Sequence, residues 1–160
     1  MNYGKEFKKY AMSDHNVSSS KLNYYEKQIE NSMTPYILEE REMRATQIDI
    51  FSRLMADRLL WVAGPVNDGM STVVQAQLMF LDSVDKKDIT MHIDSPGGSV
   101  KSGLSMVDVM DYIKSDIRTV NTGMAASMGS VLLGAGTKGK RSSLRHSTTM
   151  LHQSLILLLY

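Results

Sequence analysis

Gly123-Met124-Ala125-Ala126-Ser127-Met128-Gly129 is the stretch on which the reading of this chain turns. A single serine stands among small residues. It follows the apolar-leaning segment Ile117-Arg118-Thr119-Val120 and precedes the helix-compatible run Val131-Leu132-Leu133. At a strand-to-helix junction lined with Gly and Ala, a serine hydroxyl meets no steric cover. The first backbone N–H groups of a following helix lack intrahelical acceptors, so they can receive a developing oxyanion. The stretch predicts α/β architecture locally and a nucleophile chemically.

Upstream, Leu59-Leu60-Trp61-Val62-Ala63 is a continuous apolar run stopped by Gly64-Pro65, the pattern of a buried strand. Asn67-Asp68-Gly69 supplies turn and N-cap chemistry. Val74, Leu78, Leu81 and Val84 then recur at helical spacing as far as Asp85-Lys86-Lys87. Ile89-Thr90-Met91-His92-Ile93 alternates as a strand, with His92 on the opposite face from Ile89, Met91 and Ile93. Asp94-Ser95-Pro96-Gly97-Gly98 follows at the strand's carboxyl end, where α/β folds place binding backbone. Leu104, Val107, Met110 and Ile113 define the next apolar helical stripe, and Ile117 to Asn121 the next strand. Three strand–helix alternations predict a parallel sheet with at least three crossovers.

Downstream, Gly134-Ala135-Gly136-Thr137-Lys138-Gly139-Lys140 approaches a phosphate-binding loop. Arg141 stands where Ser or Thr would hold magnesium, and the segment follows a helix instead of a strand. It reads as a helix-ending turn with solvated lysines. Arg141 to Leu144 and Thr148 to Leu151 are expected as short strands.

On the amino-terminal side, residues 1–32 are polar and tyrosine-rich, a poorly ordered extension with one possible short helix at Leu22–Ile29. Tyr36 to Leu38 reads as a short strand and Glu39 to Arg44 as a mobile, solvated loop. Ile48, Phe51, Leu54 and Met55 recur at helical spacing, giving an amphipathic helix from Asp49 to Asp57 with Asp49 near its start.

The 160 residues, 42% hydrophobic and 22% charged, suit one domain with a real core. A formal net charge of +1 makes no case for nucleic acid. Cysteine is absent, which excludes disulfides, thiolate catalysis and cysteine-based zinc sites. The start of the sequence shows no secretory signal, and no apolar run reaches the roughly 18–20 residues of a membrane span. The 13 methionines read chiefly as core filling.

A serine nucleophile requires a base within hydrogen-bond reach and an oxyanion hole. Of the four histidines, His15 lies in the polar extension, His92 on a strand face and His146 in a loop. His152 follows an apolar run and could emerge from a strand end. Spacing leaves His146 and His152 both open.

Taken together, Ile93-Asp94-Ser95-Pro96-Gly97-Gly98, Gly123 to Gly129, Gly136-Thr137-Lys138-Gly139-Lys140-Arg141 and Met150-Leu151-His152-Gln153 resemble the proteolytic subunit family of the Clp protease, as does Asp49 to Leu54. The resemblance covers residues 33–153 as a catalytic domain, with 1–32 as a pro-segment-like extension and 154–160 as a divergent apolar tail. It implies the α/β Clp-protease/crotonase fold of repeated ββα units, incomplete at its C-terminal end. It implies Ser127 as nucleophile, His152 as general base, and the backbone N–H groups of Gly98 and Met128 as oxyanion hole. It further implies serine-type endopeptidase activity on unfolded chains, a homo-oligomer of two stacked seven-membered rings, and an AAA+ unfoldase partner of the Clp family. No cofactor or metal is expected in this subunit, ATP being used by the partner. The location is expected to be cytoplasmic, without membrane or nucleic acid. Glu39 to Arg44 would correspond to the family's axial entrance loop.

The family pattern continues past the His-Gln pair with proline, a glycine-rich strand, a long helix and the aspartate of the triad. Here Gln153 is followed by Ser154 and the aliphatic run Leu155 to Leu159. The expectation is a chain impaired by truncation. Two alternatives stand beside it: a non-catalytic ring-assembly subunit or inactive fragment, and a crotonase-type acyl-CoA enzyme. No carboxylate near Gly123–Ser130 supports the last.

Overall fold

A computed structural model describes residues 36–41 and 44–153, with side chains from residue 48 onward. The expected extension 1–32, its short helix and the tail 154–160 lie outside the described residues.

The chain enters through an antiparallel ribbon, β1 (Tyr36–Arg41) and β2 (Arg44–Asp49), in register from Tyr36 opposite Asp49 to Arg41 opposite Arg44. The expected loop at Glu39 to Arg44 is therefore corrected. Glu39, Glu40, Arg41 and Arg44 are strand residues, and Glu42 and Met43 lie outside the described residues. A two-stranded ribbon satisfies its main chain by cross-strand pairing, so it needs no alternating apolar pattern to announce it. Ile48 likewise belongs to β2 and not to the helix that follows.

Helix α1 (Ile50–Ala56) starts where Asp49 accepts the Ser52 N–H at 2.9 Å. It stops at Arg58, whose φ of 62° is the left-handed turn that ends many helices. Then come β3 (Leu59–Ala63), α2 (Asp68–Val84), β4 (Ile89–Ser95), α3 (Val100–Tyr112), β5 (Ile117–Ala126), α4 (Met128–Gly134), β6 (Arg141–Ser143) and β7 (Thr148–Met150). Strands β3-β4-β5-β6 lie in that order, all parallel, and β7 continues the pairing of β5 beyond β6. The three expected crossovers are present. Asn67 caps α2 by accepting the Met70 N–H at 3.0 Å.

One face of the sheet carries the core. Leu60, Val62, Met91, Ile93 and Ile117 are buried against Val74, Leu78 and Leu81 of α2, Met106 and Met110 of α3, and Leu132 of α4. Each such side chain contributes about 2 kcal/mol on burial. On the other face Trp61 and His92, paired across β3 and β4, stack with centroids 4.8 Å apart and planes 18° from parallel. Burial holds the His92 imidazole below its ordinary titration range.

The expected stripe of α3 needs correction at Leu104, which is 48% exposed. The helix instead buries Ser102, Gly103, Met106 and Met110. A Cβ on Gly103 would collide with the side chain of Met128, which lies directly against the helix. Gly103 thus lets Met128 lie close against the face that holds Met106 and Met110, and Leu104 lies off that face.

At the amino-terminal edge of the sheet, the loops entering the strands are tied together. Arg58 donates to the carbonyls of Leu81 (2.9 Å), Asp85 (3.1 Å), Lys87 (2.7 Å) and Asp88 (3.1 Å), and to the Ser115 hydroxyl (3.2 Å). Lys140 donates to Asp88 at 2.7 Å and Asp116 at 2.8 Å, so it is not the free, solvated lysine expected of its turn.

Candidate active site

The site lies at the carboxyl edge of the sheet, where three chain segments converge on Ser127. The first is the loop after β4. Ser95 is fully buried; its hydroxyl donates to the Gly64 carbonyl at 2.7 Å and accepts the Gly97 N–H at 3.1 Å. Val66 N–H donates to Gly97 O and Ser99 N–H to Val66 O, each at 2.9 Å. These bonds hold Gly97 and Gly98 at φ values of 92° and 148°. Both positions require glycine. A Cβ on Gly97 would lie 2.7 Å from Ser127 Cβ and 2.9 Å from Met128 N, and one on Gly98 would strike Val66 O.

The second segment is the junction itself. β5 runs further than the Ile117–Asn121 expected of it, reaching Ala126, and α4 begins at Met128. Ser127 between them has φ 52° and ψ −120°, a conformation that L-residues seldom adopt. Such strain is worth about 1–3 kcal/mol and persists only where the surroundings enforce it. Here they do. Ser127 N–H donates to Met150 O at 3.0 Å, and Ser127 O accepts from Ser130 N–H at 2.9 Å. The Ser127 hydroxyl makes no hydrogen bond to any described residue.

The third segment is β7. Fully buried Asn121 donates to Thr148 O at 2.9 Å and to the Thr149 hydroxyl at 3.1 Å, fixing β7 beside β5. The register sets Met150 opposite Ala126. His152 therefore leaves the end of β7 two residues beyond a residue paired with the neighbour of Ser127. It is exposed, and its Nδ1 lies 2.6 Å from the Gln153 carbonyl oxygen. It makes no hydrogen bond to Ser127 in this structure. Catalytic contacts of this kind are often loose before substrate binds. His146 sits in the exposed turn between β6 and β7, and His92 on the sheet face with Trp61.

Among main-chain donors at this edge, Ser127 N–H is taken by Met150 O and Gly97 N–H by Ser95. The N–H groups of Gly98 and Met128 have no acceptor among the described residues. Sequence reasoning missed Ser95 and Asn121 as supports. A signal was present for Ser95, the lone polar residue in the alternation Ile89, Met91, Ile93, Ser95 on the buried face of β4; Asn121 shares the buried face of β5 with Thr119 and stood out less. No cluster of His, Asp and Glu able to hold a metal occurs among the described residues, and no helix among them is long and apolar enough to cross a membrane.

A half-buried, strained serine beside unengaged main-chain donors, at the carboxyl edge of a parallel sheet, is a layout suited to acyl transfer. Comparison with known proteins narrows the class. Residues 40–158 match the family model described as Clp protease. The chain is 50% identical over 151 residues to the ATP-dependent Clp protease proteolytic subunit of Bacteroides fragilis (strain YCH46), covering 94% of this chain and 69% of that one. It is 48% identical over 151 residues to the protein of the same name from Porphyromonas gingivalis (94% and 68% covered). Against that of Ligilactobacillus salivarius it is 49% identical over 125 residues (78% and 64% covered). The chain belongs to the Clp protease family, a family of peptide-bond hydrolases. It spans about two thirds of the length of these relatives.

Proposed function

We propose that this chain is a serine-type endopeptidase subunit with Ser127 as nucleophile and His152 as general base. The observation that carries the reading is the free Ser127 hydroxyl on its strained junction, flanked by the unengaged N–H groups of Gly98 and Met128. In this reaction Ser127 Oγ attacks the carbonyl carbon of a peptide bond while Nε2 of His152 takes its proton. The tetrahedral oxyanion accepts hydrogen bonds from Gly98 and Met128. His152 returns the proton to the departing amine, leaving an acyl ester on Ser127 that water hydrolyses by the same route.

Substrates are unfolded chains, delivered by an AAA+ unfoldase that consumes the ATP, and the subunit works as a cytoplasmic ring assembly. Family membership and the relatives' names support this part of the reading. The subunit's own chemistry uses no metal or cofactor.

A fluorophosphonate probe tests the assignment. The expected result is one covalent adduct per chain on Ser127, none in Ser127→Ala, and labelling slowed by at least about 10²-fold in His152→Ala. Labelling that persists unchanged in Ser127→Ala overturns it.

A further inference from the structure

The first turns of α2 and α3 meet through polar side chains. Ser102 of α3 is 2% exposed, yet it carries a hydroxyl into this contact. That hydroxyl donates to Asp68 Oδ1 at 2.5 Å, and its oxygen lies 2.8 Å from the Ser99 hydroxyl. A serine has one hydroxyl proton. With that of Ser102 on the carboxylate, the Ser99 O–H supplies the proton between the two serines. Ser99 Oγ in turn caps α3, accepting the Ser102 N–H at 3.2 Å. One turn further on, the Ser71 hydroxyl of α2 donates to the Ser102 carbonyl at 2.8 Å and lies 2.9 Å from Ser105 Oγ.

These residues adjoin the two segments that hold Gly98. In a trans peptide the C=O and the following N–H point in opposite directions. Gly97 C=O and Gly98 N–H belong to one such unit, and Gly97 O accepts the Val66 N–H at 2.9 Å. Val66 therefore aims the Gly98 N–H away from itself and leaves it unengaged at this edge. That aim holds only while Val66 and Gly97 keep their places. Asp68 stands two residues after Val66, and Ser99 directly after Gly98. The run Asp68–Ser102–Ser99 is a second tie between the same two segments, made by side chains. Apolar burial is non-directional and would leave the register of the two helices loose, whereas hydrogen bonds fix both distance and direction.

We infer that Ser102 and Asp68 are positioning residues for the Gly98 N–H, keeping the loop after β4 in register with the start of α2 so that this donor meets a developing oxyanion. The inference deepens the proposed mechanism and rests on it for its purpose. Neither side chain touches substrate.

The test uses the full chain with two readouts. The sequence has one Gly-Gly pair, Gly97-Gly98, so a chain labelled in glycine alone with 13C and 15N gives a single carbonyl-to-amide correlation, that of Gly98. The second readout is fluorophosphonate labelling of Ser127 against probe concentration, which separates the maximal rate from the half-saturating concentration. Asp68 is exposed, so Asp68→Ala tests the tie without opening the core, and Asp68→Asn keeps Oδ1 as an acceptor. In Ser102→Ala and Asp68→Ala the Gly98 correlation should move or split. The maximal labelling rate should fall about tenfold at unchanged half-saturation, part of what losing an oxyanion donor outright costs. Asp68→Asn should stay within about twofold of the unaltered chain. Ser71→Ala breaks the same helix contact one turn away and should change neither readout. The inference is overturned if either readout is unmoved in Asp68→Ala and Ser102→Ala, or if Ser71→Ala moves them as far. Where the unaltered chain takes no probe, the mechanism above fails and the Gly98 correlation alone decides the positioning.

Discussion

Arg58 and Ser127 are the two non-glycine residues with positive φ among the described residues, at 62° and 52°. They stand at opposite edges of the same parallel sheet. Arg58 enters β3 and spends its guanidinium on four carbonyls and a hydroxyl, closing α2 and the loops before β4 and β5. Ser127 leaves β5 with a hydroxyl bonded to no described residue and two neighbouring N–H groups equally unengaged. The same backbone expense thus serves two ends. At one edge it places a side chain whose three nitrogens all donate to neighbouring protein groups. At the other it places one where donor and acceptor capacity is kept for something that arrives.

The contrast can be broken at either residue. Arg58→Ala should have the larger effect, a loss of about 3 kcal/mol, because four carbonyls, most of them in part-buried bonds, and the Ser115 hydroxyl lose a charged donor together. Urea unfolding should show a lower midpoint at unchanged slope, and the folded fraction should still take the fluorophosphonate probe. If probe reactivity per folded molecule falls as steeply as stability, the two edges are coupled and the division is wrong.

Ser127→Gly should do the reverse. Glycine adopts φ 52° and ψ −120° without steric conflict, so the variant should be more stable by about 1 kcal/mol while taking no probe. A loss of stability would mean that the hydroxyl supports the fold, against its lack of partners.

The smallest effect belongs to pH. The Lys140 ammonium beside Asp88 holds that carboxyl below the usual carboxylate range. Asp82 is also lowered: burial acts to raise it, but is outweighed by hydrogen bonds from Lys86 and Ser115. Carboxyls lowered in the folded state stabilise it above about pH 4, and that contribution is lost as pH falls through their lowered values. Lys140 itself is raised by Asp116 and Asp88, so its contribution is full below about pH 10 and lost as pH climbs through its raised value. Thermal melts across pH should show both limbs. In Lys140→Met the alkaline limb should vanish and the acid limb flatten, since Asp88 loses its partner and Asp82 keeps its own. Identical acid limbs would show that the pair does not contribute.

Much of this layout was legible in the residues. Period-two and helical spacing gave the three crossovers, Asn67 and Asp49 gave helix starts, and small residues around Ser127 gave the junction. What escaped shares one physical trait: it depends on partners distant in sequence. The ribbon at Glu39 to Arg44 is made by main-chain pairing that charged side chains do not advertise. Leu104 lies off the buried face of α3, where Gly103 admits Met128 from another helix. Ser95 and Asn121 act across loops 27 to 31 residues away. The location of His152 at the end of β7 follows from the Ala126–Met150 register, whereas spacing alone left it level with His146.

The Trp61–His92 stack gives the molecule an optical channel. The sequence contains one tryptophan, so all indole emission originates at the seam between β3 and β4. Protonated imidazole quenches indole on contact, and burial resists that protonation. The emission of the folded chain should therefore stay bright to lower pH than a free histidine would allow, then dim as His92 gains its proton. Fluorescence becomes a spectator of this one seam, reporting its opening and its charge while being blind to Ser127.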